Sequence, residues 1–315
     1  MENIQKAIEV IQQIEAGKRH AAVPNGLEGY SGKKLIACLE ALTGLFCRDS
    51  AAYLELGVFR GLTLLSNAHA SPVIPCYGID NFSLFDEKRE NLPFIKRHMK
   101  RLKIKNATVI DRDFDDALDS LGRYIGTKKV GVFFVDGPHD YRSQIVPLLK
   151  IVPYLAEECA IVVDDANYPH VRQATNDFLR THPDFALLME AYTPKHIANM
   201  NAKEKEAAIA GWWDGVNVIV RDSGKTLPRM LAKEGQKGLY PLSHEVFRHE
   251  LAEVAPELLK LAQNLADSKL NKETGIIKKT QLLVKKHRTK HPGRFPHQNT
   301  YSGKLPKFLL HQRKR

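Results

Sequence analysis

Asp136 and His139 stand in the stretch Gly131-Val-Phe-Phe-Val-Asp-Gly-Pro-His-Asp-Tyr141. Asp164 and Asp165 stand in Cys159-Ala-Ile-Val-Val-Asp-Asp-Ala-Asn-Tyr168. Each stretch is a short run of β-branched and aromatic residues that ends abruptly in a carboxylate. Two such runs, separated by a helix-length interval, read as buried neighbouring strands of a parallel sheet. Ligands of such sheets bind at the carboxyl ends of the strands. The three acids then share one rim, with His139 a short turn away. Carboxylates held that close repel and raise each other's pKa unless positive charge lies between them. A divalent cation is the economical partner. Taken singly, each residue has a plainer use: Asp136 in a Gly-Pro turn, His139 as a cap, Asp164 and Asp165 as N-caps of a helix near Pro169. All of them at adjacent strand ends favour a metal.

A second group precedes them. Glu55-Leu-Gly57-Val-Phe-Arg-Gly61 joins the end of a predicted strand to a helix. Its glycines permit a tight turn and close approach of a ligand to the backbone, and the helix behind offers unpaired amides. Asp80 ends the next strand, where a carboxylate can accept both hydroxyls of a ribose. The glycine spacing is not Gly-x-Gly-x-x-Gly, and Glu55 would repel a pyrophosphate, so a cationic adenosine cofactor suits the site better than NAD. Asp113, after the third strand, can accept from an adenine amino group or serve as a helix N-cap.

Stepping outward, alternation of short apolar runs with helical periodicity predicts what positions these groups. Strands are expected over 51–57, 74–80, 107–111, 130–136, 159–164, 185–191 and 214–221. Helices are expected over 61–70, 85–102, 115–124, 141–155 and 171–180, with an inserted helix or lid over 195–210. The pattern is that of an α/β protein with a doubly wound, mostly parallel seven-stranded sheet. Four regions follow: an N-terminal helical cap over 1–48, the sheet domain over 49–222, a linker and amphipathic helix over 223–268, and a basic tail over 269–315. In the cap, Ile4, Ala7, Ile8, Ile11 and Ile14 form one helical face and Leu35, Leu39, Leu42 and Leu45 another. The turn Tyr30-Ser31-Gly32 marks the start of the second helix.

The net charge of +11 is unevenly placed. From residue 269 onward there are 14 lysines and arginines against one acid, Glu273, while residues 1–268 carry 33 basic and 35 acidic side chains. A near-neutral body with a basic tail leaves open a solvated tail or an anionic partner, whether a membrane surface, an acidic glycan or a nucleic acid. No apolar run has the length of a membrane span, and the N-terminus lacks a signal-peptide core. Cys38, Cys47, Cys76 and Cys159 sit in apolar contexts without Cys-x-x-Cys spacing, as free thiols of a reducing compartment do. The cytoplasm is the expected location.

The order Glu-Leu-Gly-x-x-x-Gly, Gly-Ile-Asp, Phe-Val-Asp-Gly-x-His-x-Tyr and Val-Val-Asp-Asp resembles the class I S-adenosylmethionine-dependent O-methyltransferases. Within them it is most similar to the metal-dependent macrocin O-methyltransferase and cephalosporin-hydroxylase-like group. The resemblance spans about residues 30–222. It implies that Asp136, Asp164 and Asp165 hold Mg²⁺ or another divalent cation and that His139 is the general base. Asp164 stands where relatives often carry the longer Glu. The resemblance also implies that Glu55, Gly57, Gly61 and Asp80 line the methyl-donor site. The implied acceptor is a hydroxyl of a sugar or another small polyhydroxylated molecule, with Trp212-Trp213, Tyr168, Tyr192 and His170 within possible reach. Two rivals are a nucleic-acid methyltransferase that uses the basic tail and a non-catalytic binding protein of this fold. Against the first, Asp136-Gly-Pro-His stands where base methyltransferases carry an Asn/Asp-Pro-Pro-Tyr site. The intact acids and His139 argue against the second. A homo-oligomer built through the terminal helices is also open.

Overall fold

The computed structural model describes residues 2–48 and 51–233, and residues 258–261, 275, 278 and 281–285 beyond them. The chain runs α1 (Glu2–Glu15), α2 (Lys33–Phe46), β1 (Ala51–Leu56), α3 (Leu62–Ala70), β2 (Cys76–Asp80), α4 (Asn91–Leu102) and β3 (Ala107–Asp111). There follow α5 (Phe114–Asp119), α6 (Gly122–Ile125), β4 (Lys129–Val135), α7 (Tyr141–Ile151), β5 (Leu155–Asp164), α8 (Pro169–Thr181), β6 (Phe185–Ala191), α9 (Ala202–Ala210) and β7 (Val216–Arg221). The strands form one seven-stranded sheet in the order β3-β2-β1-β4-β5-β7-β6. All neighbouring pairs are parallel except those made by β7, which runs antiparallel to both β5 and β6. The expected doubly wound, mostly parallel architecture is therefore present.

The physical basis is the two-residue period of the central strands. Tyr53, Val132, Phe134, Ala160 and Val162 turn to one face and share a core with α1, α2 and α3. Leu54, Phe133, Val135, Ile161 and Val163 turn to the other, against α5, α7 and α8. Because both faces are covered, β4 reads as one continuous apolar run rather than an alternating one. Full burial of a side chain such as Phe133 or Phe134 stabilises the fold by roughly 1.5–3 kcal/mol. Connections leave the sheet in opposite directions on either side of the β1/β4 boundary, which opens a crevice above the ends of these two strands.

Several elements differ from the sequence expectation. The helix expected from residue 85 begins at Asn91, because Phe82, Phe85 and Arg89 have positive φ and Asp86 caps the true start through the amides of Glu90 and Asn91. The helix expected over 115–124 is broken into α5 and α6, and at the break Ser120 bonds back to the Asp116 carbonyl. The inserted helix expected over 195–210 is a 3-10 turn over Ile197–Asn199 followed by α9. Asn201 and Glu204 close a reciprocal capping box at the start of α9 and so fix its first residue. Ser31 does not cap α2; Gly32 occupies the N-cap without a side-chain bond, and the Lys34 amide donates to the Gly211 carbonyl instead. In α1, Val10 is buried and Ile8 only partly so.

Residues 1–235 form one compact unit and residues 236–315 a second. The chain stays packed on the sheet domain beyond residue 222: Asn176 pairs its side-chain amide with both backbone groups of Ala232. The amphipathic helix expected over 247–265 and the basic tail lie outside the described residues, apart from helical residues at 258–261, 275, 278 and 281–285. Cys38, Cys47, Cys76 and Cys159 are free and buried. Among the described residues no helix is long and apolar enough to cross a membrane.

Candidate functional site

The rim above β1, β4 and β5 collects the acids. Asp136 follows β4 directly, and its amide donates to the Leu56 carbonyl at the end of β1, 2.8 Å away. Asp164 ends β5 and Asp165 begins the loop after it. One carboxylate oxygen from each of Asp136, Asp164 and Asp165 lies within 4.8 Å of the others. Asp164 is 2% exposed and Asp165 8%. Burial, followed by the charge of Asp165, pushes the carboxyls of Asp136 and Asp164 well above the usual carboxylate range. Asp165 adopts φ +55°, a left-handed conformation that Asp tolerates better than most residues. The Oδ1 atom of Asp164 is buried with no hydrogen-bond partner. A buried, unpartnered carboxylate oxygen is costly unless a cation or donor faces it. An all-oxygen donor set of this kind suits a hard divalent cation.

His139 joins this cluster through its Nε2, 2.6 Å from Oδ2 of Asp165. Burial disfavours charge on the ring, but the hydrogen bond and the charge of Asp165 outweigh it and raise the imidazole pKa. The plainer roles fall elsewhere. Asp140, not His139, caps α7 by accepting from the Ser143 amide. Helix α8 has Tyr168 at its N-cap and no side-chain cap bond, so neither Asp164 nor Asp165 serves there.

The turn after β1 is built by a different set of groups. Gly57 has φ +90° and donates its amide to the Ile79 carbonyl. Gly61 has φ +81° and is the N-cap of α3. Asp80 ties the turn down: its Oδ2 accepts from the amides of Val58 and Phe59, both at 2.8 Å, and its Oδ1 accepts from Phe82 at 2.7 Å. Three amides on one carboxylate make the turn rigid and leave a lone pair on Oδ1.

Glu55 is placed differently from the sequence expectation, and Asp113 takes the second of its two expected roles. Glu55 is fully buried; Tyr53 donates to it at 2.6 Å and Thr63 at 3.2 Å. Burial raises its pKa to about 8, and it lies beneath the turn rather than exposed to a ligand. Asp113 is the N-cap of α5, accepting from the Asp115 amide at 2.9 Å, and its other oxygen accepts from Asn81 at 3.2 Å. It stands one strand further along the rim from Asp80.

The paired tryptophans divide. Trp212 is buried and donates to Glu15 of α1, which is a packing role. Trp213 stacks on Tyr30, which in turn stacks on Phe59 of the glycine turn at a centroid distance of 5.3 Å. Tyr192 is engaged by Glu190 and stacked under Arg172.

Sequence reasoning missed Asp214, His196 and Asn167. Because β7 is antiparallel, its N-terminal end meets the same rim as the C-terminal ends of the parallel strands. Asp214 is thereby placed beside Asn167, whose amide donates to it at 2.7 Å. Asn167 also bonds Thr193 and holds the segment before the 3-10 turn against the rim. An acid just before a strand gave no sign of this, since the reversal of β7 is a tertiary event.

With this geometry established, residues 54–166 match the family model described as a methyltransferase domain. No curated protein matches the chain. Among solved structures the chain is similar to the O-methyltransferase TomG of Streptomyces achromogenes, involved in tomaymycin synthesis and determined in complex with SAM. The two are 16% identical with a TM-score of 0.45 over 70% of this chain and 90% of that one. It is also similar to an O-methyltransferase from Bacillus cereus in complex with SAH, 13% identical with a TM-score of 0.46 over 68% of this chain and 90% of that one.

Proposed function

We propose, from the premise that residues 54–166 are a methyltransferase domain, that this protein transfers a methyl group from S-adenosylmethionine to a hydroxyl of a sugar or other small polyhydroxylated acceptor. A divalent cation, most simply Mg²⁺, assists. The observation that carries this reading is the convergence of Asp136, Asp164 and Asp165 within 4.8 Å, with His139 bonded to one of them, on the rim that also bears the glycine turn.

Asp136, Asp164 and Asp165 would hold the cation, and the unpartnered Oδ1 of Asp164 supports that fit. A hard cation bound there supplies the positive charge that lowers the pKa of a coordinated hydroxyl. His139 takes the hydroxyl proton. Since its Nε2 is bonded to Asp165, Nδ1 is the nitrogen that receives it, and the same bond orients the ring. A bound donor would supply a methyl on a sulfonium centre: as the acceptor oxygen formed its bond to that carbon in line, the carbon–sulfur bond would break and S-adenosylhomocysteine would leave. No covalent intermediate on the protein is required, so the chain's main contribution is positioning. Gly57 and Gly61 keep the turn low enough for the donor to approach the backbone. Asp80 holds that turn and offers its remaining lone pair to a ribose hydroxyl, and Asp113 is assigned to the adenine amino group. Glu55 acts from beneath as a buried anchor.

Calorimetric titration of S-adenosylhomocysteine into the full chain, with Mg²⁺ and then with EDTA, tests the reading. Micromolar binding is expected in both conditions, because the donor residues are separate from the acids. Absence of binding in both would sink the methyltransferase assignment.

A further inference from the structure

The loop that carries Asp165 is held on both sides of its backbone. Asp165 has φ +55°, and its carbonyl accepts from the Tyr168 amide at 3.0 Å, which closes a tight turn. The two residues inside that turn give their amides to the lead-in of β7. Ala166 donates to the Gly215 carbonyl at 3.2 Å and Asn167 to the Asp214 carbonyl at 3.0 Å. Their carbonyls go to a single side chain: Nη1 of Arg172 donates to Ala166 at 2.6 Å and to Asn167 at 2.7 Å. Both carbonyls precede Tyr168, the N-cap of α8, so the bond ladder of that helix does not serve them. Ala166 is fully buried, where an unpaired carbonyl is costly.

We propose that Arg172 is a positioning residue of the cation site. By bonding the carbonyls of Ala166 and Asn167 it holds Asp165 in its left-handed conformation, and so aims the carboxylate that faces Asp136 and Asp164 and bonds His139; this rests on the metal-assisted reading above. A residue other than glycine keeps a left-handed backbone only where its surroundings over-determine it. Without the guanidinium two carbonyls lose their donor, and Asp165 is free to return to the backbone regions that L-residues prefer, which turns its side chain off the rim. Arg172 is itself braced by the chain that follows β7. Its Nε donates to the Lys233 carbonyl at 2.9 Å, and its guanidinium lies over the Tyr192 ring, 5.3 Å from the centroid. The Lys233 amide donates to Glu190 at 2.8 Å, and Glu190 also accepts from the Tyr192 hydroxyl at 2.6 Å. One planar fork thus reaches three carbonyls from two segments, which the single ammonium of a lysine does not reproduce.

The test is calorimetric titration of Mg²⁺ into the full chain with S-adenosylhomocysteine present, for the natural sequence, Arg172→Met and Arg172→Lys. Removing a group that orients a metal ligand costs about 10–100-fold in metal affinity, and that loss is expected in Arg172→Met. Arg172→Lys keeps the charge and loses the fork, so a weakening there separates carbonyl bonding from simple charge near the acids. Affinity for S-adenosylhomocysteine should stay within a few-fold of the natural value in both variants, because the glycine turn belongs to β1 and β2. That binding also reports that they fold. A purely structural part for Arg172 would lower the melting temperature and leave Mg²⁺ affinity alone. Unchanged Mg²⁺ affinity in either variant that binds S-adenosylhomocysteine overturns this inference and leaves the metal-assisted reading standing. Loss of S-adenosylhomocysteine binding in both variants also overturns it, since Arg172 would then support the whole domain rather than the site. A natural sequence that binds S-adenosylhomocysteine but no Mg²⁺ sinks the metal assistance and this inference together.

Discussion

The carbonyl oxygen of Asp136 lies 1.7 Å from the point where a Cβ on Gly57 would stand. The glycine turn and the acidic cluster are thus in backbone contact at the boundary between β1 and β4, and one residue's lack of a side chain permits both. Gly57→Ala meets a backbone obstacle as well as a φ of +90° that alanine rarely adopts. It is expected to lower the melting temperature and to abolish S-adenosylhomocysteine binding in calorimetry. An alanine variant that binds with unchanged affinity would show that the turn can move away from Asp136.

Asp164 should be a liability without metal and a necessity with it. Its carboxylate is buried, repelled by Asp165 and Asp136, and has an unpartnered oxygen. In EDTA, Asp164→Asn is expected to melt at or above the temperature of the natural sequence, because a repelling carboxylate is gone. Adding Mg²⁺ should raise the melting temperature of the natural sequence and leave that of the variant in place; saturation at 100 times the dissociation constant stabilises by about 2.7 kcal/mol. An equal Mg²⁺ response in both would remove Asp164 from the ligand set.

His139→Ala should leave binding intact and stop the proton transfer. A positioned general base contributes about 10²–10⁴-fold, so kcat on an active acceptor should fall by that order. Mg²⁺ and S-adenosylhomocysteine affinities are expected to stay within a few-fold of the natural values in calorimetry. If turnover survives, another group takes the proton.

Glu55 supplies a pH dependence of stability. Its carboxyl is raised from an ordinary 4.5 to about 8 by burial. Between those values the native state holds a proton that the unfolded chain has released, so rising pH favours unfolding. The destabilisation sets in near pH 4.5, grows to about pH 8 and is constant above it. Glu55→Gln removes this contribution while keeping a hydrogen-bonding amide. Thermal melts from about pH 5 to about pH 9 should therefore show the variant gaining on the natural sequence as pH rises. Parallel curves would mean that Glu55 is already ionised in the native protein.

The strand-end acids were legible because local chemistry specifies them. A continuous β-branched run such as Val132-Phe-Phe-Val135 pairs on both edges and buries both faces, so it belongs at the centre of a parallel sheet. A carboxylate directly after it must then emerge at the rim. That reasoning needs no partner from elsewhere in the chain, and it located Asp136, Asp164 and Asp165. Element ends were read less well wherever a single side chain sets them, as Asp86 and Asn201 do for α4 and α9.

What each charged group does depended on contacts between distant segments. Glu55 looks like an exposed anion beside a glycine until Tyr53 and Thr63 close over it. Asp80 looks like a free ribose acceptor until the Val58 and Phe59 amides fold onto it. Trp212 and Trp213 are equivalent as letters and are separated by which one α1 can reach. The pair His196 and Asp214 meets Tyr168 because β7 runs against its neighbours and delivers its first end to their last. Hydrophobic period and turn chemistry act over a few residues and can be read along the chain. Strand direction, register and the burial of a charge are settled by what packs across the sheet.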